Sequence, residues 1–252
     1  MIGNISTPGG IRPVRFGAGI GAIGGDTYRQ AVVNTGPVSY WRLGEASGTN
    51  AADEMGANNG TYVNSPTLGA TGLLTGDSNT AMTLAGATQY ADVAAMSFGD
   101  SASAVTLSAW IYPTDTSFGT LISWGGSGAA CHHLFRYSGH VRIYFWDGAL
   151  RDKFTVATPL LAANTSYHVV VVHTFAAKTA LVYVNGTYIE TMDLSAYNAA
   201  VPVASGQHLR LGLQAWNTTN PFIGTLDEPA IWNRALSAAE VAMLYAIGTG
   251  IW

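Results

Sequence analysis

Any chemistry in this chain has to start from its acids, and they are few. The glutamates are Glu45, Glu54, Glu190, Glu228 and Glu240. Retaining glycoside hydrolysis needs two carboxyls about 5 Å apart, which on a strand means acids at alternating positions aimed into one cleft. Here Asp53-Glu54 and Asp227-Glu228 are adjacent pairs, whose side chains are expected on opposite faces of an extended strand. No Ser, His and Asp set suggests a nucleophile elbow. Cys131 is the sole cysteine, and it precedes His132 and His133. Consecutive strand residues face opposite ways, so these two histidines are not expected to share a zinc ion, and Cys131 reads as a small buried residue. The expectation is a protein that is not an enzyme.

Binding is better equipped than catalysis. His208, Arg210, Gly212, Gln214 and Trp216 alternate with Leu209, Leu211, Leu213 and Ala215. Arg142, Tyr144 and Trp146 alternate with Val141, Ile143 and Phe145 in the same way. If the two polar faces share one sheet, they present aromatic planes, guanidinium forks and an amide, which can stack on and hydrogen-bond a glycan. The other reading is an ordinary solvated sheet face.

The elements that would carry these residues are strands. From Val105 onward, alternating runs at 105–111, 119–124, 132–137, 141–146, 166–174, 180–185, 187–192, 208–214 and 222–232 predict an antiparallel sandwich. Asn185-Gly186 is a type I′ hairpin signal, since both central positions need positive φ. Pro229 cannot donate a ladder hydrogen bond, so its strand must be free or bulged there. Ser237 followed by Glu240 is a capping box with Leu236 and Val241 as the apolar staple, which starts a helix near Ala238 that ends near Gly248. Asp26 caps a shorter helix over 27–34, stopped by Gly36 and Pro37. Between the first strand at 39–43 and strands at 81–84 and 89–93, residues 45–80 read as one long polar loop.

The run Gly224-Thr-Leu-Asp-Glu-Pro-Ala-Ile-Trp-Asn-Arg-Ala-Leu-Ser-Ala-Ala-Glu-Val241 closely resembles the terminal signature of laminin G-like modules of the concanavalin A-like superfamily. Ser39-Tyr-Trp-Arg-Leu-Gly-Glu45, Asp53-Glu-Met-Gly-Ala-Asn-Asn-Gly60, Val105-Thr-Leu-Ser-Ala-Trp-Ile-Tyr-Pro113 and Leu181-Val-Tyr-Val-Asn-Gly186 are similar to four further blocks of that family, in order. The resemblance implies an all-β fold: an antiparallel β-sandwich of the concanavalin A-like jelly-roll type, with a short C-terminal helix and an N-terminal extended arm. Residues 1–35 would be the arm with its short helix, and 36–252 the sandwich. Related modules often hold Ca²⁺, and by resemblance its ligands here would be Glu45, Asp53 and Asp227, with loop carbonyls completing the six to eight oxygens. The competing reading is that Glu45 and Asp227 satisfy backbone amides at loop bases.

Composition narrows the partners. The chain has 252 residues, a net charge of −4, and Lys153 and Lys178 as its lysines, which argues against a surface that tracks nucleic-acid phosphates. No apolar run reaches the roughly 20 residues needed to cross a bilayer. Residues 1–25 are rich in glycine and carry Ile2, Ile5, Ile11, Val14, Phe16, Ile20 and Ile23 with scarcely a charge. Too lean to build a core, the segment is either a loose leader or an arm that docks on a neighbour. Its opening lacks the basic n-region of a secretory signal. Residues 28–45 also resemble the entry to laminin G-like domains of bacteriophage virion proteins and bacterial surface proteins. These features together lead to the expectation of a homo-oligomeric structural and adhesion module on a virion, as capsid decoration or tail component, held by residues 1–25 and contacting host-surface glycans. A lectin module of a bacterial secreted or surface protein is the alternative.

Overall fold

A computed structural model of the chain describes residues 27–86, 88–96, 103–125, 132–137, 139–146, 150–155, 161–196, 207–215 and 218–251. Helix α1 (Thr27–Asn34) comes first, followed by β1 (Ser39–Tyr40), β2 (Asn50–Ala51), β3 (Gly60–Val63), β4 (Thr67–Thr71), β5 (Thr80–Ala85) and β6 (Tyr90–Met96). The central run is β7 (Ala104–Pro113), β8 (Gly119–Trp124), β9 (His132–Tyr137), β10 (Arg142–Trp146), β11 (Leu150–Phe154) and β12 (Tyr167–Thr174). Strands β13 (Thr179–Val184), β14 (Thr187–Asp193), β15 (Gln207–Leu211) and β16 (Ile223–Trp232) precede helix α2 (Ala238–Gly248). Among the described residues no helix is long and apolar enough to cross a membrane.

The strands form two antiparallel sheets. One runs β14-β13-β12-β7-β16-β5-β4, with β1 also on β16, and the other runs β11-β10-β9-β8-β15-β6-β3-β2. Val169 and Val171 of β12, Leu107 and Ile111 of β7, and Leu226 of β16 meet Leu209, Ile122, Trp124 and Ile143 of the second sheet in one core. The alternate positions of the first sheet, Val170, Val172, Trp110 and Trp232, join a second core with α1 and α2. The first sheet is thus buried on both faces, which is why β7 and β12 read as continuous apolar runs rather than clean alternation. The second sheet packs its inner face on the first core, and at β8 its other face is covered as well, since Ser123 is buried and its hydroxyl accepts the amide of Ala215 at 2.9 Å.

Local signals account for the ends of the elements. Ser237 Oγ accepts the amide of Glu240 at 3.2 Å, and Glu240 Oε2 accepts the amide of Ser237 at 2.8 Å, so the capping box is closed. Leu236 and Val241 are both buried beside it. Asn185 and Gly186 have φ of 52° and 72°, as the type I′ turn requires. Gly248 closes α2 against Trp110, and a Cβ there would lie 2.3 Å from the indole.

Two expectations change. The stretch 45–80 is no single loop, since it holds β2, β3 and β4. These strands are short or at an edge, and the exposure pattern of β4 carries no apolar stripe to reveal it. Helix α1 is no part of an arm. Tyr28 and Val32 are buried in the second core, Trp110 Nε1 donates to Tyr28 Oη at 2.9 Å, and Trp232 Nε1 donates to Thr35 Oγ1 at 3.0 Å. The folded body therefore includes residue 27, ahead of the boundary at 36. Residues 1–25 lie outside the described residues.

Candidate functional site

Two places gather chemistry-bearing side chains: a sealed acid network beneath the helices, and the outer face of the second sheet around Arg210.

The acid network starts from the bulge in β16. Pairing with β7 shifts between Asp227 and Ala230, and Glu228 takes φ of 53°, so Pro229 sits where no ladder donor is needed. The bulge also cancels the simple alternation expected of Asp227 and Glu228, because both carboxyls now lie close to Arg42. Glu228 accepts from Arg42 Nε at 3.0 Å and from Asn79 Nδ2 at 3.3 Å, and Tyr40 Oη donates to its other oxygen. Arg42 reaches across to Asp77 at 2.6 Å. Asp227 is less well served: Oδ2 accepts the amide of Leu73 at 2.7 Å, while the buried Oδ1 has no hydrogen-bond partner among the described residues. Burial pushes its carboxyl up to about 7, with Asp77 adding to the shift and the Leu73 amide and Arg42 opposing it. One raised acid beside one paired acid is the electrostatic pattern of a hydrolase, but Asp227 and Glu228 are 1% and 0% exposed, so no substrate reaches them. The same holds for Ser108, whose hydroxyl lies 2.9 Å from His168 Nε2: both residues are sealed, no acid orients the ring, and burial drives His168 down to about 3.

The three residues that resemblance assigns to calcium are not brought together. Asp53 accepts four backbone amides, from Tyr40 and Met55 on Oδ1 and from Ala57 and Asn58 on Oδ2. Glu45 accepts the amide of Ala52 at 2.7 Å and the phenol of Tyr62 at 2.5 Å. Among the described residues no three acids, histidines or cysteines are grouped for an ion. The donor set does not fit one shared calcium, and of the three carboxyls only that of Asp227 keeps a buried oxygen without a hydrogen bond among the described residues.

The sheet face is organised differently. Pairing of the second sheet places Asn50, Thr61, Asp92, Arg210, Ser123, His133, Tyr144 and Asp152 in one transverse row, one residue from each of its eight strands. Every member is polar. Cross-strand partners share a face, so Asp92, Arg210 and Ser123 run opposite the apolar positions Leu209, Val93 and Ile122. Arg210 sits near its middle, held on three sides: Nε donates to Asp92 at 3.2 Å, Nη1 donates to the Gln214 carbonyl at 2.9 Å, and the guanidinium lies 4.6 Å from the Tyr90 ring. His208 pairs with the other Asp92 oxygen at 3.0 Å, and its side chain is 56% exposed. Arg142 lies over the exposed Phe118 ring at 5.0 Å.

The two polar runs read from the sequence do share a sheet, with β8 and β9 between β10 and β15, which separates them by about 14 Å. Gln214 departs from that reading. Strand β15 ends at Leu211, Gly212 turns with φ of 95°, and Gln214 is buried in the following loop, accepting from Thr219 and Asn220. Trp216 lies outside the described residues, and the side chains of Tyr144 and Trp146 do so too. Asp92, Tyr90 and Phe118 were missed, although Tyr90-Ala91-Asp92-Val93 alternates clearly enough to have placed Asp92 on the polar face.

Similarities to known proteins follow the fold. The family profile described as the concanavalin A-like lectin/glucanases superfamily, a laminin G-like type, matches residues 85–242. Trypanosoma rangeli sialidase superimposes with a TM-score of 0.59 at 17% identity, covering 84% of this chain and 32% of the sialidase. The binding domain of botulinum neurotoxin serotype D gives 0.62 at 12% identity, covering 83% of this chain and 51% of that one. The serotype G binding domain gives 0.61 at 13%, covering 84% and 51%. The chain thus spans about a third of the sialidase and half of the toxin domains, and at these identities the likeness is one of fold. No curated protein matches it in sequence.

Proposed function

From a chain that belongs to the concanavalin A-like lectin/glucanases superfamily, we propose a non-enzymatic adhesion module that binds glycans on the outer face of its second sheet. The observation that carries this reading is Arg210, clamped on the outer face of the second sheet beside the exposed His208. A guanidinium already fixed by Asp92, Gln214 and Tyr90 gives up little side-chain freedom when a ligand arrives, so the face it belongs to is pre-organised. Arg142 adds a second guanidinium to the face, which favours glycans that carry acidic groups. The sealed acids support the non-enzymatic reading, since no carboxyl pair among the described residues opens to a cleft.

The setting we infer is a virion, with residues 1–25 docking the module on its own copies or on other virion proteins. The glycine-rich apolar arm and the resemblance of residues 28–45 support it. A bacterial secreted or surface lectin is the rival, and electron microscopy of particles labelled with an antibody to the protein separates the two.

Titration with a panel of acidic and neutral oligosaccharides tests the site. The His208→Ala and Arg142→Ala variants should weaken binding of acidic glycans by about tenfold each, with melting temperatures nearly unchanged, because exposed pairs contribute little to stability. Unaltered affinity in the double variant would remove the sheet face as the binding surface.

A further inference from the structure

The chain crosses from one sheet to the other between β3 and β4, and a second concavity opens at that seam. It has a volume of about 290 Å³ and is lined by Ser47, Thr49, Tyr62, Ser65, Pro66 and Leu68, with Ala46 and Gly48 at the turn of the first wall. That size lies at the lower end of small-molecule sites, the scale of one sugar ring.

Its walls are held rigidly. Glu45 ties one wall to the floor, accepting both the Ala52 amide and the Tyr62 phenol, while the Tyr62 amide donates to the Thr49 carbonyl at 2.7 Å. The facing wall turns through Asn64 and Ser65, two consecutive non-glycine residues with φ of 58° and 53°. Such backbone is costly and persists only where its surroundings over-determine it. Here Asn64 Nδ2 donates to the carbonyl and hydroxyl of Thr88, both at 2.8 Å, and Gln89 Nε2 donates to the Ser65 carbonyl at 2.9 Å. A strained corner braced from the β5–β6 turn is the architecture of a preformed clamp rather than of a tolerant surface loop.

The lining chemistry selects the ligand. Ser47, Thr49 and Ser65 supply hydroxyls, which both donate and accept. Pro66 and Leu68 supply C–H surface of the kind that covers the apolar side of a pyranose. No charged side chain lines the space, and Tyr62 in its lining is hydrogen-bonded to the carboxylate of Glu45, so an anion would lose hydration with no lining cation to replace it. We propose that this seam pocket is a second binding site, specific for a neutral monosaccharide unit, distinct from the cationic sheet face. It rests on the carbohydrate reading of the module but on none of the residues of that face.

The test uses the full chain with neutral hexoses, one at a time, and with N-acetylneuraminic acid as the acidic comparison, followed by ligand-observed NMR. At least one neutral sugar should bind with Kd on the order of 1 mM, and the acidic sugar should not compete for it. Ser47→Phe, which fills the pocket from an exposed loop, should weaken that binding by about tenfold or more, and Thr49→Val, which removes a hydroxyl at constant volume, should weaken it about threefold to tenfold. Arg142→Ala should leave it unchanged. Neutral-sugar binding that survives both pocket variants, or an absence of neutral-sugar binding in a folded protein, overturns the proposal. Loss of acidic-glycan binding in Arg142→Ala with the pocket variants silent would leave the sheet face standing and the pocket refuted. The reverse pattern would keep the pocket and remove the sheet face.

Discussion

Replacing Asp227 with asparagine should make the protein's stability far less dependent on pH between 5 and 8. In the folded chain the carboxyl titrates at about 7, against 3.8 for an ordinary aspartate. Between those values the native state holds a proton that the unfolded state has released, so stability falls as pH rises through that window and levels off above it. At about 1.4 kcal/mol for each tenfold change in proton affinity, the charged carboxylate costs up to about 4 kcal/mol at pH 8, and water entering the site would reduce this to about 2 kcal/mol. The Asp227→Asn side chain would keep an oxygen for the Leu73 amide but bring an amide nitrogen to the position of Oδ1, an unsatisfied donor costing about 1 to 3 kcal/mol at every pH. The informative quantity is thus the difference of differences. Urea unfolding of both proteins at pH 5 and pH 8 should show the wild type losing about 1 to 3 kcal/mol more than the variant on going to pH 8, a shift of about 0.5 to 1.5 M in relative midpoint. Arg42, Asp77 and Glu228 face the same site and remain in both proteins. A wild-type and variant gap equal at the two pH values would show that Asp227 is not a proton-holding acid and that the bulge exposes it to water.

The remaining tests are simpler. Ser237→Ala removes the N-cap oxygen of α2 and should lower stability by about 1 kcal/mol, read from the thermal midpoint, with an unchanged midpoint indicating that the cap contributes nothing. Because Glu45, Asp53 and Asp227 are not grouped for an ion among the described residues, melting curves in millimolar calcium and in excess chelator should superimpose; a rise that chelator reverses and Asp227→Asn abolishes would contradict that reading. Deleting residues 1–25 should leave the melting temperature nearly unchanged while removing self-association in analytical ultracentrifugation. Extending the deletion through 35 should destabilise the sandwich, because Tyr28 and Val32 are buried against Trp110 and each such side chain contributes about 1.5 to 3 kcal/mol. Equal stability of the two truncated proteins would contradict the packing of α1.

The sequence by itself determined the elements whose signals are local. The Ser237 and Glu240 box, the Asn185-Gly186 turn and most strands from Val105 onward each involve residues within a few positions of one another and form where the pattern put them, whereas β11 is absent from that pattern and β15 stops at Leu211. Pro229 even announced its bulge. What the tertiary structure alone decided is which residues meet across the chain. Strands β2 to β4 are too short or too exposed to show a period, and they form because β5 and β6 offer them an edge. Whether α1 belonged to the arm or to the body depended on Trp110 and Trp232, 82 and 197 positions from their partners in and beside that helix. The candidate sites have the same origin. Alternation placed Arg210 and Arg142 on polar faces, but putting β15 and β10 in one sheet took the pairing of β8 and β9 between them. The grouping of Glu45, Asp53 and Asp227 dissolved because hydrogen bonding to nearby backbone amides, invisible in the linear chain, had already claimed the oxygens of the first two.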